Sequence, residues 1–242
     1  MISRRPLPVK DDPSKERSRG LLYGRRKGKT LRDARAKAYE EGLARHALDL
    51  SKPCTAWESL FDAPVSRLAL EIGFGGGEHL LHQLDQQPVT GFIGCEPFVN
   101  GMARLLDDAQ RHEGRDRLRV HEGDAREVIA WLPDACLDLV YLLYPDPWPK
   151  LKHEKRRFMG LDTLDLLHPK MKPGAELRVA SDIDVYKATT IKAGNAHPGF
   201  ERSDRNTAEP WEDWTRTRYE AKAIREGRTP AYFSFFAKVL PQ

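Results

Sequence analysis

Residues 68–77 read Leu-Ala-Leu-Glu-Ile-Gly-Phe-Gly-Gly-Gly, a short apolar strand that passes through Glu71 into a glycine-rich turn. This order commits the chain to strand, turn and helix, with the turn at the carboxyl edge of a sheet. Gly73, Gly75 and Gly77 let the backbone approach a ligand where any Cβ would collide, and they tolerate positive φ. A dinucleotide fingerprint G-x-G-x-x-G would need its third glycine where Glu78 stands, so that reading fails on spacing. G-x-G-x-G with a carboxylate two residues earlier suits S-adenosylmethionine, which has no pyrophosphate and carries a cationic methionine end for Glu71 to attract. The competing reading is an ordinary tight turn.

The next strand, residues 90–95, ends on Glu96, about 20 residues beyond the glycines, where an acid can take a ribose diol. A third apolar segment, 118–121, leads to Asp124, which could receive the exocyclic amine of adenine or could simply cap the helix that starts at Ala125. Acids at three successive strand ends favour the ligand reading, because open α/β sheets bind ligands outside the carboxyl ends of their strands.

Strands are expected near 67–72, 90–95, 117–121, 137–143 and 175–180, with helices starting near Glu78, Asn100, Ala125, Lys155 and Val185. Such alternation predicts an α/β fold, a doubly wound, mostly parallel sheet. Segments 200–202 and 231–239 lack a full crossover helix between them and predict a terminal antiparallel pair, so that the sheet has seven strands and an antiparallel last strand. That layout is similar to the Rossmann-like class I methyltransferases. A chain of 242 residues supports one such domain, expected over 30–242, with a helix over 31–50 packed on it.

Residues 1–45 hold 14 Lys and Arg against 6 Asp and Glu, in a chain whose formal net charge is +4. The surplus is concentrated in an arm, residues 1–29, expected to be flexible. Its densest part, Arg25, Arg26 and Lys27 among glycines, suits a segment that orders on a phosphate backbone, or else a solvated tail. The longest apolar run, 137–144, contains Asp138 and falls far short of the about 18 residues of a membrane span. The charged, proline-containing start has neither a secretory h-region nor the acid-poor character of a transit peptide. Cys54, Cys95 and Cys136 are widely spaced without C-x-x-C, which suggests no disulfide framework and no zinc site. A cytoplasmic protein without membrane, metal or obligate protein partner is expected. His79, His82, His121 and His153 read as loop or surface histidines, and Trp211 and Trp214 as packing more than as base-stacking residues.

After the fourth strand comes Tyr144-Pro145-Asp146-Pro147-Trp148. Prolines on both sides of Asp146 restrict φ and supply no N–H, so its carboxylate stands on a stiff loop at the sheet edge. Lys150, Lys152, His153, Lys155, Arg156 and Arg157 follow, interrupted only by Glu154 among acids, and a cationic band beside a cofactor pocket predicts a polyanionic substrate.

With these elements the chain resembles the bacterial tRNA (guanine-N7-)-methyltransferase family, through Gly24-Arg25-Arg26, Glu71-Ile72-Gly73, Pro145-Asp146-Pro147-Trp148 with its basic band, Ala180-Ser181-Asp182 and Thr217-Arg218-Tyr219-Glu220. The Pro-Asp-Pro-Trp and Thr-Arg-Tyr-Glu elements are its specific part; Ser181 replaces an expected threonine and Glu154 interrupts the band. The resemblance implies methyl transfer from S-adenosylmethionine to a guanine of the tRNA variable region. It further implies that Glu71, Glu96, Asp124 and Asp146 line the cofactor site, and that Lys150, Asp182, Thr217, Arg218, Tyr219 and Glu220 meet the substrate. Guanine N7 carries an in-plane lone pair, so attack on a sulfonium methyl needs no strong base. Asp146, with Asp182 next, is then the candidate to face developing positive charge or to accept guanine N–H groups. An amino-group methyltransferase fits less well, since Trp148 stands where a second proline would be expected. A non-catalytic RNA-binding module would not need these acids.

Overall fold

The computed structural model describes residues 26–240. Their order is α1 (Asp33–His46), β1 (Arg67–Ile72), α2 (Glu78–Gln86), β2 (Thr90–Cys95), α3 (Val99–Ala109), β3 (Leu118–His121) and α4 (Ala125–Trp131). Then follow β4 (Leu137–Leu143), α5 (Leu161–Leu167), β5 (Met171–Ser181), α6 (Asp184–Ala196), β6 (Phe200–Arg202), α7 (Arg218–Arg225) and β7 (Ala231–Ala237).

The period of two along the strands explains the layers. Leu68, Leu70 and Ile72 of β1 face one core, with Val128 and Ile129 of α4, Leu164 and Leu167 of α5 and Tyr186 of α6. Ala69 of the same strand faces the other, with Leu80 and Leu84 of α2 and Met102, Leu105 and Leu106 of α3, against which Tyr39 and Leu43 of α1 pack. Both faces are covered, so the central strands are apolar almost throughout. The strands run in the order β3-β2-β1-β4-β5-β7-β6, parallel from β3 through β5, with β7 antiparallel to both β5 and β6. The sheet therefore reverses its direction of winding between β1 and β4, and a crevice opens outside their carboxyl ends.

Three elements differ from expectation. The helix expected from Lys155 is a 3₁₀ segment, Leu151–Arg156, and α5 starts only at Leu161. Lys152, Lys155 and Arg156 would share one face of an α-helix, and like charges at that spacing oppose it. α1 covers 33–46 of the expected 31–50, and residues 218–225 form a helix that the alternation did not signal. Residues 26–29 of the arm lie against α3: the Gly28 amide donates to Asn100 Oδ1 at 2.6 Å and Asn100 Nδ2 donates to the Lys29 carbonyl at 2.7 Å. Residues 1–25, with Arg25, lie outside the described residues.

Candidate active site

A cavity of about 390 Å³ occupies the crevice between β1 and β4, with Gly73, Glu96, Phe98, Asp124, Tyr144, Asp146, Trp148, Arg156 and Tyr219 among its lining, and Arg26 at its side. Each strand delivers its residue by ending there: Gly73 after β1, Glu96 after β2, Tyr144 after β4. Gly73 has φ +72 and open space where a side chain would stand, so the floor of the cavity is bare backbone.

Glu96 is 7% exposed, and its two oxygens accept from the Gly75 amide at 2.7 Å and the Phe98 amide at 2.9 Å. Burial pushes its carboxyl above the usual value, partly offset by those two amides. The glycine turn is thus tied to the end of β2 by the residue expected to hold a ribose. Asp124 caps α4, accepting from the Arg126 amide at 2.9 Å, and it also lines the cavity.

The loop after β4 carries the local strain. Tyr144 and Trp148 have φ of +49° and +40°, a region that costs an ordinary L-residue on the order of 1–2 kcal/mol. Such strain persists only when the surroundings enforce it, and it concentrates at functional positions. The Tyr144 amide donates to the Ala180 carbonyl at 2.8 Å, fixing one end. Asp146 at the apex remains open to solvent, yet the adjacent walls withdraw enough water to raise its carboxyl above the ordinary value. The Arg156 guanidinium lies 4.9 Å from the Trp148 ring centroid, beside the same opening.

The remaining candidates separate by position. Glu71, expected to attract a cationic ligand end, is 2% exposed, does not line the cavity, and pairs with His79 Nδ1 at 2.8 Å. His79 is accordingly a buried residue of α2 and not a surface histidine, and its ring packs against Tyr141 and Trp214. Gly75 and Gly77, with φ of +61° and +82°, shape the turn, and Gly77 is the N-cap of α2. Tyr219 covers the turn from α7: a Cβ at Gly75 would stand 3.0 Å from its ring. Arg218 lies beside it, 3.9 Å from Glu78. Lys150, Lys152 and Lys155 are exposed along the 3₁₀ segment, whereas Lys27 is exposed near Arg26.

Arg157 was expected on RNA but is 5% exposed and turned inward, because the chain folds back behind the strained loop and its carbonyls need donors. Asp182 lies outside the cavity lining and pairs with Arg228 Nε. Thr217 Oγ1 caps α7 by accepting from the Glu220 amide at 3.1 Å. Glu220 is 4% exposed, accepting from Trp214 Nε1 and Tyr232 Oη at 2.7 Å each. This places Trp214 in the packing network, as expected, and Trp211 joins it with its Nε1 donating to Ser234 Oγ at 2.9 Å. Glu220→Ala should leave two buried donors unpaired and destabilise the fold by about 1–3 kcal/mol. Thermal unfolding reads this as a loss of roughly 2–4 °C per kcal/mol; an unchanged Tm would free Glu220 from that structural role.

No group of three or more His, Cys, Asp or Glu that could hold a metal occurs among the described residues, and no helix there is long and apolar enough to cross a membrane. A family profile described as "Putative methyltransferase" matches residues 66–232. A tRNA (guanine-N(7)-)-methyltransferase of Mesorhizobium japonicum is 49% identical over 236 residues, covering 96% of this chain and 100% of that relative. The enzyme of the same name from Rhizobium etli is 49% identical over 223 residues, covering 90% of this chain and 96% of its own. Among solved structures, the 16S rRNA methyltransferase KamB superposes with a TM-score of 0.53 at 14% identity, over 87% of this chain and 96% of its own. A variant of the 16S rRNA (adenine(1408)-N(1))-methyltransferase from Catenulisporales acidiphilia with cosubstrate SAM gives 0.51 at 18% identity, over 88% and 95%. At these identities the structural likeness concerns the fold.

Proposed function

Since this chain belongs to the tRNA (guanine-N(7)-)-methyltransferase family, we propose that it transfers a methyl group from S-adenosylmethionine to N7 of a guanine in the variable region of tRNA. The observation that carries this reading is the strained loop that presents Asp146 to the same cavity as Gly73, Glu96 and Asp124. The residues fit the cofactor: a bare glycine floor for close approach, a buried acid just after β2 for a diol, and a second acid beyond β3 for an adenine amine. S-adenosylmethionine, when bound there, supplies an electrophilic methyl on a sulfonium.

Glu96 and Asp124 orient the cofactor from the floor, and Tyr219 covers the glycine turn from above. Asp146 faces the opening through which a guanine must enter. Its carboxylate accepts guanine N–H groups and stabilises positive charge as N7 becomes alkylated, so that the residue contributes by position and field without removing a proton before attack. Arg26 and Arg156 line the same opening, and Lys150, Lys152 and Lys155 continue the positive surface away from it, which suits the backbone of a folded RNA in a cytoplasmic enzyme. Asp182, held by Arg228, and Arg218 and Tyr219 act on the substrate from the neighbouring edge, on a helix that Thr217 and Glu220 hold in place.

Incubation with labelled S-adenosylmethionine and unmodified total tRNA, followed by nucleoside analysis, tests the whole reading. The label should appear in 7-methylguanosine; label in another nucleoside, or none, removes it. Neutralising Lys152, Lys155 and Arg156 together should weaken tRNA binding and flatten its salt dependence by roughly 0.7–0.9 of a logarithmic unit per lost phosphate contact. Deleting residues 1–25 spares the Gly28 contact to Asn100 and should show the same signature without altering cofactor affinity. Titrations at several salt concentrations rank the two surfaces, and a truncated protein with full slope and affinity would make the arm a solvated tail.

A further inference from the structure

We propose that Arg157 is a positioning residue for methyl transfer: it sets the conformation of the 144–148 loop from behind and thereby aims Asp146, whose role in the reaction this inference takes from the reading above. Its side chain is 3% exposed, although it closes a run of cations that otherwise lie on or near the surface. The guanidinium spends its donors inward: Nε on the Pro147 carbonyl at 3.1 Å, Nη2 on the Trp148 carbonyl at 3.1 Å, and Nη1 on Thr189 Oγ1 at 2.7 Å. Glu154, at 3.8 Å, supplies the nearest opposite charge. With these three bonds made inside the protein, the guanidinium is committed to the loop and to Thr189.

The two carbonyls are those on either side of the Trp148 Cα, and Trp148 has φ of +40°. Pro145 and Pro147 limit how the loop can relax, so the orientation of these carbonyls decides where the Asp146 backbone lies. Two charge-assisted hydrogen bonds from one planar fork hold them, which opposes the tendency of Trp148 to return to negative φ. The third bond references the loop to α6, where Thr189 in turn donates to the Val185 carbonyl at 2.8 Å. Lysine could not reproduce this, since a point charge on a flexible stem does not span two carbonyls and a hydroxyl in fixed geometry. The basic run thus divides its work: Lys152 and Lys155 face outward, Arg156 borders the cavity, and Arg157 holds the loop.

The test is steady-state kinetics on the full-length enzyme with Arg157→Lys, with Thr189→Val to remove the acceptor while leaving the arginine, and with Arg157→Lys combined with Asp146→Ala. Arg157→Lys should lower kcat roughly tenfold to a hundredfold, the cost of a small misplacement of a reacting group. KM for tRNA, its salt dependence, and cofactor affinity by calorimetry should change less than about twofold if no substrate contact is lost. Thr189→Val should show the same pattern at about threefold, and it keeps the inference decidable if the arginine variant folds poorly. In the Asp146→Ala background, Arg157→Lys should add almost nothing, because a residue that works through Asp146 has nothing left to aim. A raised KM for tRNA with a flattened salt slope and retained kcat would make Arg157 a phosphate contact; a fully multiplicative loss in the double variant would make its role merely structural. Near-normal turnover of Asp146→Ala alone would refute the reading of Asp146, whereas an unimpaired Arg157→Lys beside a crippled Asp146→Ala would refute only the clamp.

Discussion

Asp146→Ala is expected to lower the rate of tRNA methylation by on the order of a hundredfold or more while tRNA affinity changes little, because the carboxylate is placed to act on charge that appears only as the methyl group moves. Single-turnover rates at saturating tRNA and cofactor, with binding measured separately, decide the matter. Near-normal turnover would leave the loop with a purely architectural role. The expectation is large because the fold commits two residues, Tyr144 and Trp148, to positive φ around this one side chain. Strain of that kind is ordinarily removed unless something depends on it.

The same carboxylate makes a prediction about pH. Loss of water around Asp146 raises its carboxyl above the ordinary value, and burial does the same to the nearby Glu96. An acid raised in the folded state is protonated there at a pH where the unfolded chain has already ionised, so its contribution to stability falls as pH rises from the ordinary carboxylate value to the raised one. Activity moves oppositely. kcat should rise with pH through a limb that lies above the ordinary carboxylate range, and Asp146→Asn should flatten that limb as well as lower the plateau. A limb unchanged in Asp146→Asn, at saturating cofactor, would assign it to another group.

Much of the fold is written locally. The five parallel strands and the glycine turn are legible because apolar runs and turn residues act over a few neighbours, and the acids at strand ends follow from the topology those strands impose. Residues whose role depends on a distant partner are less legible. Arg157 reads as one more cation in a band, and only the return of the chain behind the loop, with Thr189 32 residues away, turns it inward. His79 reads as a surface histidine until Glu71 is seen beneath it, and Glu220 reads as a substrate contact until Trp214 and Tyr232 close on its carboxylate. The delayed start of α5 falls between these cases: the like charges at 152, 155 and 156 oppose a helix locally, whereas the alternation of the fold predicts one there.

Glu96→Ala should weaken S-adenosylmethionine binding by roughly 1–3 kcal/mol, the cost of leaving a charged hydrogen bond to the ligand unmade. Its effect should reach further than the ligand. Both carboxylate oxygens already accept backbone amides, from Gly75 and Phe98, so the side chain also staples the glycine turn to the segment that opens α3. Alanine leaves both amides without their acceptor, and a loss of thermal stability should accompany the loss of affinity. Glu96→Gln separates the two contributions. An amide side chain offers one oxygen in place of two, so it can retain one of the backbone bonds while surrendering the charge that favours a diol. Calorimetry on both variants, with unfolding curves taken in the absence of cofactor, should therefore find stability partly recovered in glutamine and affinity recovered less. A folded alanine variant with an unchanged dissociation constant would remove Glu96 from the cofactor site and leave it as the staple alone.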